Sequence, residues 1–244
     1  SWQVTDQASR NGVRVNGTPV QQLVLQPGDV LRVGDTLMVF AEPPAGTDGS
    51  EPRSELKGRS TAMQRLRDRI QRVAARADNV LILGATGTGK ELVARALHRQ
   101  SRRAGPLVPI NCGSIPRELT EATFFGRVRG GFTGATAGKG AFVEANGGTL
   151  FLDELGELPY ESQASLLRVL ESREVRPVGA DHTIPVDVRI VAATLVALEQ
   201  AMNERRFRSD LYERFNQVRI DVPPLSERRE DILDLARRFA PEVQ

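Results

Sequence analysis

A four-residue apolar run, Val80-Leu81-Ile82-Leu83, opens directly into Gly84-Ala85-Thr86-Gly87-Thr88-Gly89-Lys90, and a helical apolar pattern follows from Glu91. A buried strand, a glycine-rich turn and a helix in that order are the context of a phosphate-binding P-loop, and they leave few other folds open. Gly84, Gly87 and Gly89 lack Cβ atoms, so consecutive backbone N–H groups can converge on a phosphate. The helix starting near Lys90 adds its positive dipole end. In this reading Ala85, Thr86 and Thr88 complete the cradle, and Lys90 bridges the β- and γ-phosphates of a nucleotide. A glycine-rich turn that happens to end in lysine is the alternative, and the flanking strand and helix weigh against it. Glu91 stands where most P-loops carry the Ser or Thr that holds Mg2+, so the metal needs other ligands.

A second signal is Gly148-Thr149-Leu150-Phe151-Leu152-Asp153-Glu154, an apolar strand ending in two carboxylates. An acidic residue at the carboxyl end of a strand beside a P-loop can hold Mg2+, and a neighbouring Glu can polarise a water. Asp153 is the metal candidate and Glu154 the candidate base. A solvated strand end is the competing reading for an isolated Asp-Glu.

From Leu56 onward strands and helices alternate, which predicts an α/β domain with a mostly parallel sheet and helices on both faces. Strands are expected over 80–84, 107–111, 149–153, 187–193 and 217–222, and helices over 63–77, 91–102, 163–170 and 229–239. The last helix would place Ile232, Leu235, Ala236 and Phe239 on one face. Residues 1–40 are β-like instead, with Val13–Val15, Val30–Val33 and Leu37–Phe40 separated by turns at Asn11-Gly12, Asn16-Gly17 and Pro27–Asp29. The stretch 42–55, rich in Pro, Gly and acid, reads as a linker.

Composition narrows the class further. Thirty-three Lys and Arg against 31 Asp and Glu leave a formal net charge of +2, and no basic tract suggests a DNA-binding surface. A single cysteine, Cys112, excludes an intrachain disulfide and fits a reducing compartment, while His98 and His182 lack metal-ligand spacing. Neither a signal-peptide pattern nor an apolar stretch of membrane-spanning length is present, so the chain reads as cytoplasmic, with no membrane partner. Because it opens on Ser1 rather than Met, it reads as a fragment.

From about Leu56 to Gln244 the chain resembles the AAA+ ATPase domain of bacterial enhancer-binding proteins, the sigma-54-dependent transcription activators. The stretches that carry the resemblance are 84–91, Asn111-Cys112, 129–135, 147–154, 166–170, 187–194 and 207–212. Glu91 is itself the usual residue of that family. The resemblance implies a P-loop AAA+ αβα sandwich that assembles a ring, commonly hexameric, binds ATP and Mg2+, and remodels the closed complex of sigma-54 RNA polymerase. Asn111 matches the family's switch residue, Thr194 its sensor position, and Arg208 and Arg214 the arginine fingers supplied to a neighbouring subunit. The loop of Gly130, Gly131, Phe132, Thr133, Gly134 and Ala135 matches the element that contacts sigma-54. The sequence departs from the family pattern at Gly131 (usually Ala), Leu195 (usually Asn) and Ser226 (usually Arg). It also ends before the family's helical lid and before any DNA-binding helix-turn-helix domain.

Residues 1–41 resemble the second half of a forkhead-associated (FHA) domain, an all-β sandwich that reads phosphothreonine. Asn11 matches the residue that contacts the bound phosphopeptide. Together the pieces imply an ATP-hydrolysing transcription activator under phosphothreonine control, with 56–244 as the ATPase domain. Two other readings stand beside it. One is a non-hydrolysing, degenerate ring that only docks partners, against which the retained Lys90, Asp153 and Glu154 argue. The other is a small-molecule P-loop kinase, which would usually carry Ser or Thr at position 91.

Overall fold

The computed structural model describes residues 2–7, 9, 12–26, 28–34, 36–40, 56–128, 138–195 and 198–239. The chain divides into two compact units, Ser1–Arg53 and Ser54–Gln244.

The first unit contains β1 (Gln3–Thr5), β2 (Val13–Val15), β3 (Thr18–Val20), β4 (Gln22–Val24), β5 (Val30–Val33) and β6 (Thr36–Val39). The sequence patterns did not reveal β1, β3 and β4, which are short and mostly exposed. β1 pairs antiparallel with β4, and the others form an antiparallel sheet in the order β3-β2-β5-β6. Asn16, at φ 52°, sets the turn between β2 and β3. Its amide donates to Asp29 Oδ1 at 2.8 Å and accepts from the Val30 N–H at 2.9 Å, which ties that turn to the start of β5. Asp29 also accepts from the Gln26 N–H, and these bonds hold its carboxyl below the usual carboxylate range.

The second unit begins with α1 (Thr61–Ala74), whose buried Met63, Leu66, Ile70 and Val73 recur at helical spacing. Ser60 caps it by accepting the Met63 N–H, so the helix starts two residues before the apolar pattern does. It stops at Ala74 rather than Ala77 because the buried Arg189 guanidinium takes over its last carbonyls, donating to Val73 O and Ala74 O at 3.0 and 2.6 Å. There follow β7 (Val80–Leu83), α2 (Lys90–Ser101), β8 (Leu107–Asn111), α3 (Thr120–Phe125), β9 (Gly126–Arg127), β10 (Gly138–Lys139) and α4 (Ala141–Glu144). Next come β11 (Thr149–Asp153), α5 (Tyr160–Ser172), β12 (Glu174–Val175), β13 (Ile184–Pro185) and β14 (Arg189–Thr194). The unit closes with α6 (Leu198–Asn203), α7 (Ser209–Phe215), β15 (Val218–Asp221) and α8 (Ile232–Phe239).

Five strands form one parallel sheet in the order β15-β7-β14-β11-β8. Alternate residues feed two cores. Val80, Ile82, Phe151, Val191 and Ala193 face α1 and α2, while Leu81, Leu150, Leu152, Ile190 and Ala192 face α4, α5 and α7. Burial on both faces explains why these strands read as continuous apolar runs. The final helix begins at Ile232, since 229–231 form a 3-10 turn, and Ile232 and Leu233 remain exposed.

β9 and β10 are a two-residue antiparallel pair flanking the 129–137 segment. There Gly126 and Gly140 cross so closely that a side chain on Gly140 would strike the Gly126 backbone. The Val128 N–H donates to Val178 O and the Val178 N–H to Gly126 O, so this base is stitched to the β12–β13 connection.

Candidate functional site

All strands of the parallel sheet run the same way, so their carboxyl ends share one edge, where open α/β sheets bind ligands. Thr194, the last residue of β14, pairs in register with Leu83, the residue before the P-loop. Across β14 from β7, β11 ends at Asp153, which pairs with Asn111 at the end of β8. The fold thus brings Gly84–Lys90, Thr194, Asp153, Glu154 and Asn111 to one edge, from four strands.

The P-loop has the backbone its glycines permit. Gly87 and Gly89 hold φ values of 73° and 96°, and a Cβ on Gly84 would meet Thr88 Oγ1 at 2.8 Å. Thr88 closes the turn on itself, with its N–H and Oγ both donating to Ala85 O. Lys90 opens α2 and is buried, and its Nζ donates to Gly84 O at 3.0 Å and Ala85 O at 3.2 Å. An ammonium whose hydrogen bonds, among the described residues, go to neutral carbonyls of the loop it serves is a cation ready for an anion. Glu91 points elsewhere, forming an (i, i+4) pair with Arg95 at 2.7 Å, and Ala85 and Thr86 are exposed.

Glu154 lies in the left-handed backbone region, φ 53° and ψ 45°, immediately after β11. A non-glycine residue there carries a strain of about 1–3 kcal/mol, and such positions cluster at functional sites. Its N–H donates to Asp153 Oδ1 at 3.0 Å. Its carboxylate lies over Gly113, where a Cβ would sit 2.5 Å from Glu154 Oε2 and 3.4 Å from Asn111 Oδ1. Asn111 Oδ1 accepts the Ser114 N–H at 3.0 Å, and among the described residues no hydrogen bond joins Asn111 to Glu154. A cavity of about 280 Å3 is lined by Gly113, Glu154, Gly156, Glu157, Thr194 and Leu195. Thr194 and Leu195 also line a second one of about 210 Å3 that reaches Gly84. A larger groove, about 990 Å3 between α5 and the β12–β13 hairpin, touches none of these residues. Among the described residues no cluster of three or more His, Cys, Asp or Glu could hold a metal ion, so Asp153 would share Mg2+ with phosphate and water oxygens.

Cys112 lies beneath the two carboxylates. Burial, with the negative charges of Asp153 and Glu154, pushes its thiol pKa up to about 12. The native protein should therefore show negligible reaction with a disulfide reagent such as dithionitrobenzoate at pH 8, and one thiol should react after denaturation. Fast labelling of the folded protein would contradict this placement.

Arg208 caps the start of α7, Arg214 lies in its last turn, and both are held by acids of the same chain. Arg208 pairs with Asp210 at 2.7 Å and Arg214 with Glu171 at 2.8 Å. The sequence reading missed Gln163, which is fully buried and holds this region together. It donates to Leu158 O and Arg206 O and accepts the Arg208 N–H at 2.9 Å. A polar residue in line with the apolar Leu166 and Leu170 was the available signal. The loop candidates Gly130, Gly131, Phe132, Thr133, Gly134 and Ala135, and Asn11 in the first unit, lie outside the described residues.

The sigma-54 interaction domain family matches residues 56–221, and the FHA domain family matches residues 1–34. The sigma-54-dependent transcriptional activator SfnR of Pseudomonas putida is 54% identical over 178 residues, 72% of this chain and 49% of that protein. The DNA-binding transcriptional regulator NtrC of Rhizobium meliloti is 49% identical over 199 residues, 81% of this chain and 41% of that protein. The crystal structure of NtrX from Brucella abortus in complex with ATP matches with a TM-score of 0.72 at 43% identity, over 78% of this chain and 43% of that one. This chain spans about half the length of the SfnR relative or less of the others. Among the described residues no helix is long and apolar enough to cross a membrane. With its P-loop, its strand ending in Asp153-Glu154 and a family match over 56–221, the chain belongs to the sigma-54 interaction domain family.

Proposed function

We propose that the protein hydrolyses ATP in a homo-oligomeric ring, of six subunits by family resemblance, and uses the energy to remodel sigma-54 RNA polymerase in the cytoplasm. The observation that carries this reading is the meeting of Lys90, Thr194, Asp153 and Glu154 at one sheet edge, with Lys90 Nζ donating to the loop carbonyls of Gly84 and Ala85. NtrX, with which this chain shares its fold, has been crystallised with ATP. In the proposed reaction Lys90 exchanges the Gly84 and Ala85 carbonyls for phosphate oxygens, and the P-loop N–H groups cradle the nucleotide. Asp153 would hold Mg2+, which would neutralise phosphate charge when bound. Glu154 takes a proton from water as its oxygen attacks the γ-phosphorus, and the bond to the β–γ bridging oxygen breaks to leave ADP and phosphate. Thr194 hydrogen-bonds the γ-phosphate, Asn111 restrains Glu154 before engagement, and Arg208 and Arg214 act on the ATP of a neighbouring subunit.

Output rests on the loop from Gly130 to Ala135, whose single large apolar side chain, Phe132, grips sigma-54. In this proposal residues 1–41 contribute to an FHA domain that senses a phosphothreonine protein, with Asn11 at the peptide, and DNA contact belongs to a separate C-terminal domain. Phe132→Ala tests the reading: ATP turnover should survive, while binding to sigma-54 with ADP–aluminium fluoride and open-complex formation should be lost. Normal promoter opening by that variant would remove the loop as the contact. Turnover unaffected by sigma-54 polymerase would further weaken the coupling.

A further inference from the structure

We infer that Arg228 is a positioning residue for the P-loop, fixing the Thr88 carbonyl from behind; the inference rests on reading Gly84–Lys90 as the nucleotide-binding loop. Arg228 lies 140 residues beyond Thr88 and is only 8% exposed. One terminal nitrogen donates to Thr88 O at 3.1 Å, the other contacts Met63 Sδ at 3.1 Å, and its buried Nε has no acceptor among the described residues. A buried guanidinium facing only neutral acceptors is a poor way to stabilise a fold. Its placement makes sense beside a loop that receives polyanions, since its charge adds to those of Lys90 and the α2 dipole.

The turn bearing Arg228 is rigidly seated. Asp231, fully buried, accepts from the Arg59 N–H at 2.6 Å, the Ser60 N–H at 2.9 Å and the Ser60 hydroxyl at 2.7 Å. Gly58, at φ +128°, passes so near that a Cβ would lie 2.5 Å from Asp231 Oδ2 and 2.9 Å from Met63. Residues 228–231 and 58–63 therefore form one brace. Because a trans peptide points its C=O and N–H in opposite directions, tying Thr88 O to Arg228 turns the Gly89 N–H away from the brace. Without Arg228 that peptide can rotate and present an oxygen, rather than a donor, to a phosphate.

Titration of the full chain with a fluorescent ADP analogue, alongside thermal melts, tests this. Arg228→Met should weaken binding about tenfold, the scale of one hydrogen bond to a charged donor. Arg228→Gln, uncharged and too short to reach Thr88, carries the same expectation if the Met variant does not fold. Arg228→Lys, which keeps a cation and a donor, should recover most of the affinity. Asp231→Asn loosens the same brace with Arg228 in place, and should lower the melting temperature while costing less affinity. Parent-like binding by folded Arg228→Met and Arg228→Gln, or an equal loss in Asp231→Asn, would overturn the assignment. Lys90→Ala is the control: loss of binding in it alone rejects only Arg228, whereas normal binding in Lys90→Ala rejects the nucleotide reading itself.

Discussion

Glu154→Gln is expected to bind ATP as tightly as the parent and to turn it over at least about 10²-fold more slowly, the lower end of what a positioned general base contributes. The substitution keeps the side chain's length and its place over Gly113, so the Asp153 end of β11 and the P-loop should stay as they are. It also keeps a non-glycine residue at φ 53°, so no backbone strain is relieved that could confuse the result. Only the ability to accept a proton from water is lost. Binding followed by a fluorescent analogue and turnover followed by phosphate release separate the two effects. Lys90→Ala provides the opposite pattern, with loss of binding, because it withdraws the cation now held by Gly84 O and Ala85 O. Unchanged turnover in Glu154→Gln would reject the base assignment and favour the non-hydrolysing reading.

Arg208→Ala and Arg214→Ala should each reduce turnover by roughly 10³–10⁵, as expected for a finger acting on a phosphoryl-transfer transition state in a neighbouring subunit. Their carboxylate partners within the chain, Asp210 and Glu171, are on α7 and α5, and among the described residues neither arginine hydrogen-bonds the P-loop. Both pairs involve partly exposed side chains, so breaking them to reach a neighbour's phosphate costs little. Mixing Arg208→Ala with Glu154→Gln should restore part of the activity, because some interfaces then combine an intact base with an intact finger. The same experiment applies to Arg214. No recovery at any ratio, with assembly verified by light scattering, would mean that the arginines act within their own subunit or only support α7.

The contiguous sequence determined the elements whose chemistry is local. A run of buried apolar residues, glycines that permit positive φ, and a lysine at the first helical position define the P-loop without help from the rest of the chain. The strand ending in Asp153-Glu154 is specified in the same way, by burial on both faces and a polar stop. Tertiary structure decided what those pieces meet. The order β15-β7-β14-β11-β8 inserts Thr194 between the P-loop strand and the Asp153 strand, and sets Asn111 beside Asp153. Helix limits followed distant partners as well: Arg189 ends α1 from 115 residues away, and Asp231 secures its start across 171. Helical spacing puts Gln163 on the apolar face of α5 but not its partners, and Arg228 behind Thr88 carries no periodic signature, since a buried polar side chain takes its meaning from an acceptor or donor that folding alone brings within about 3 Å.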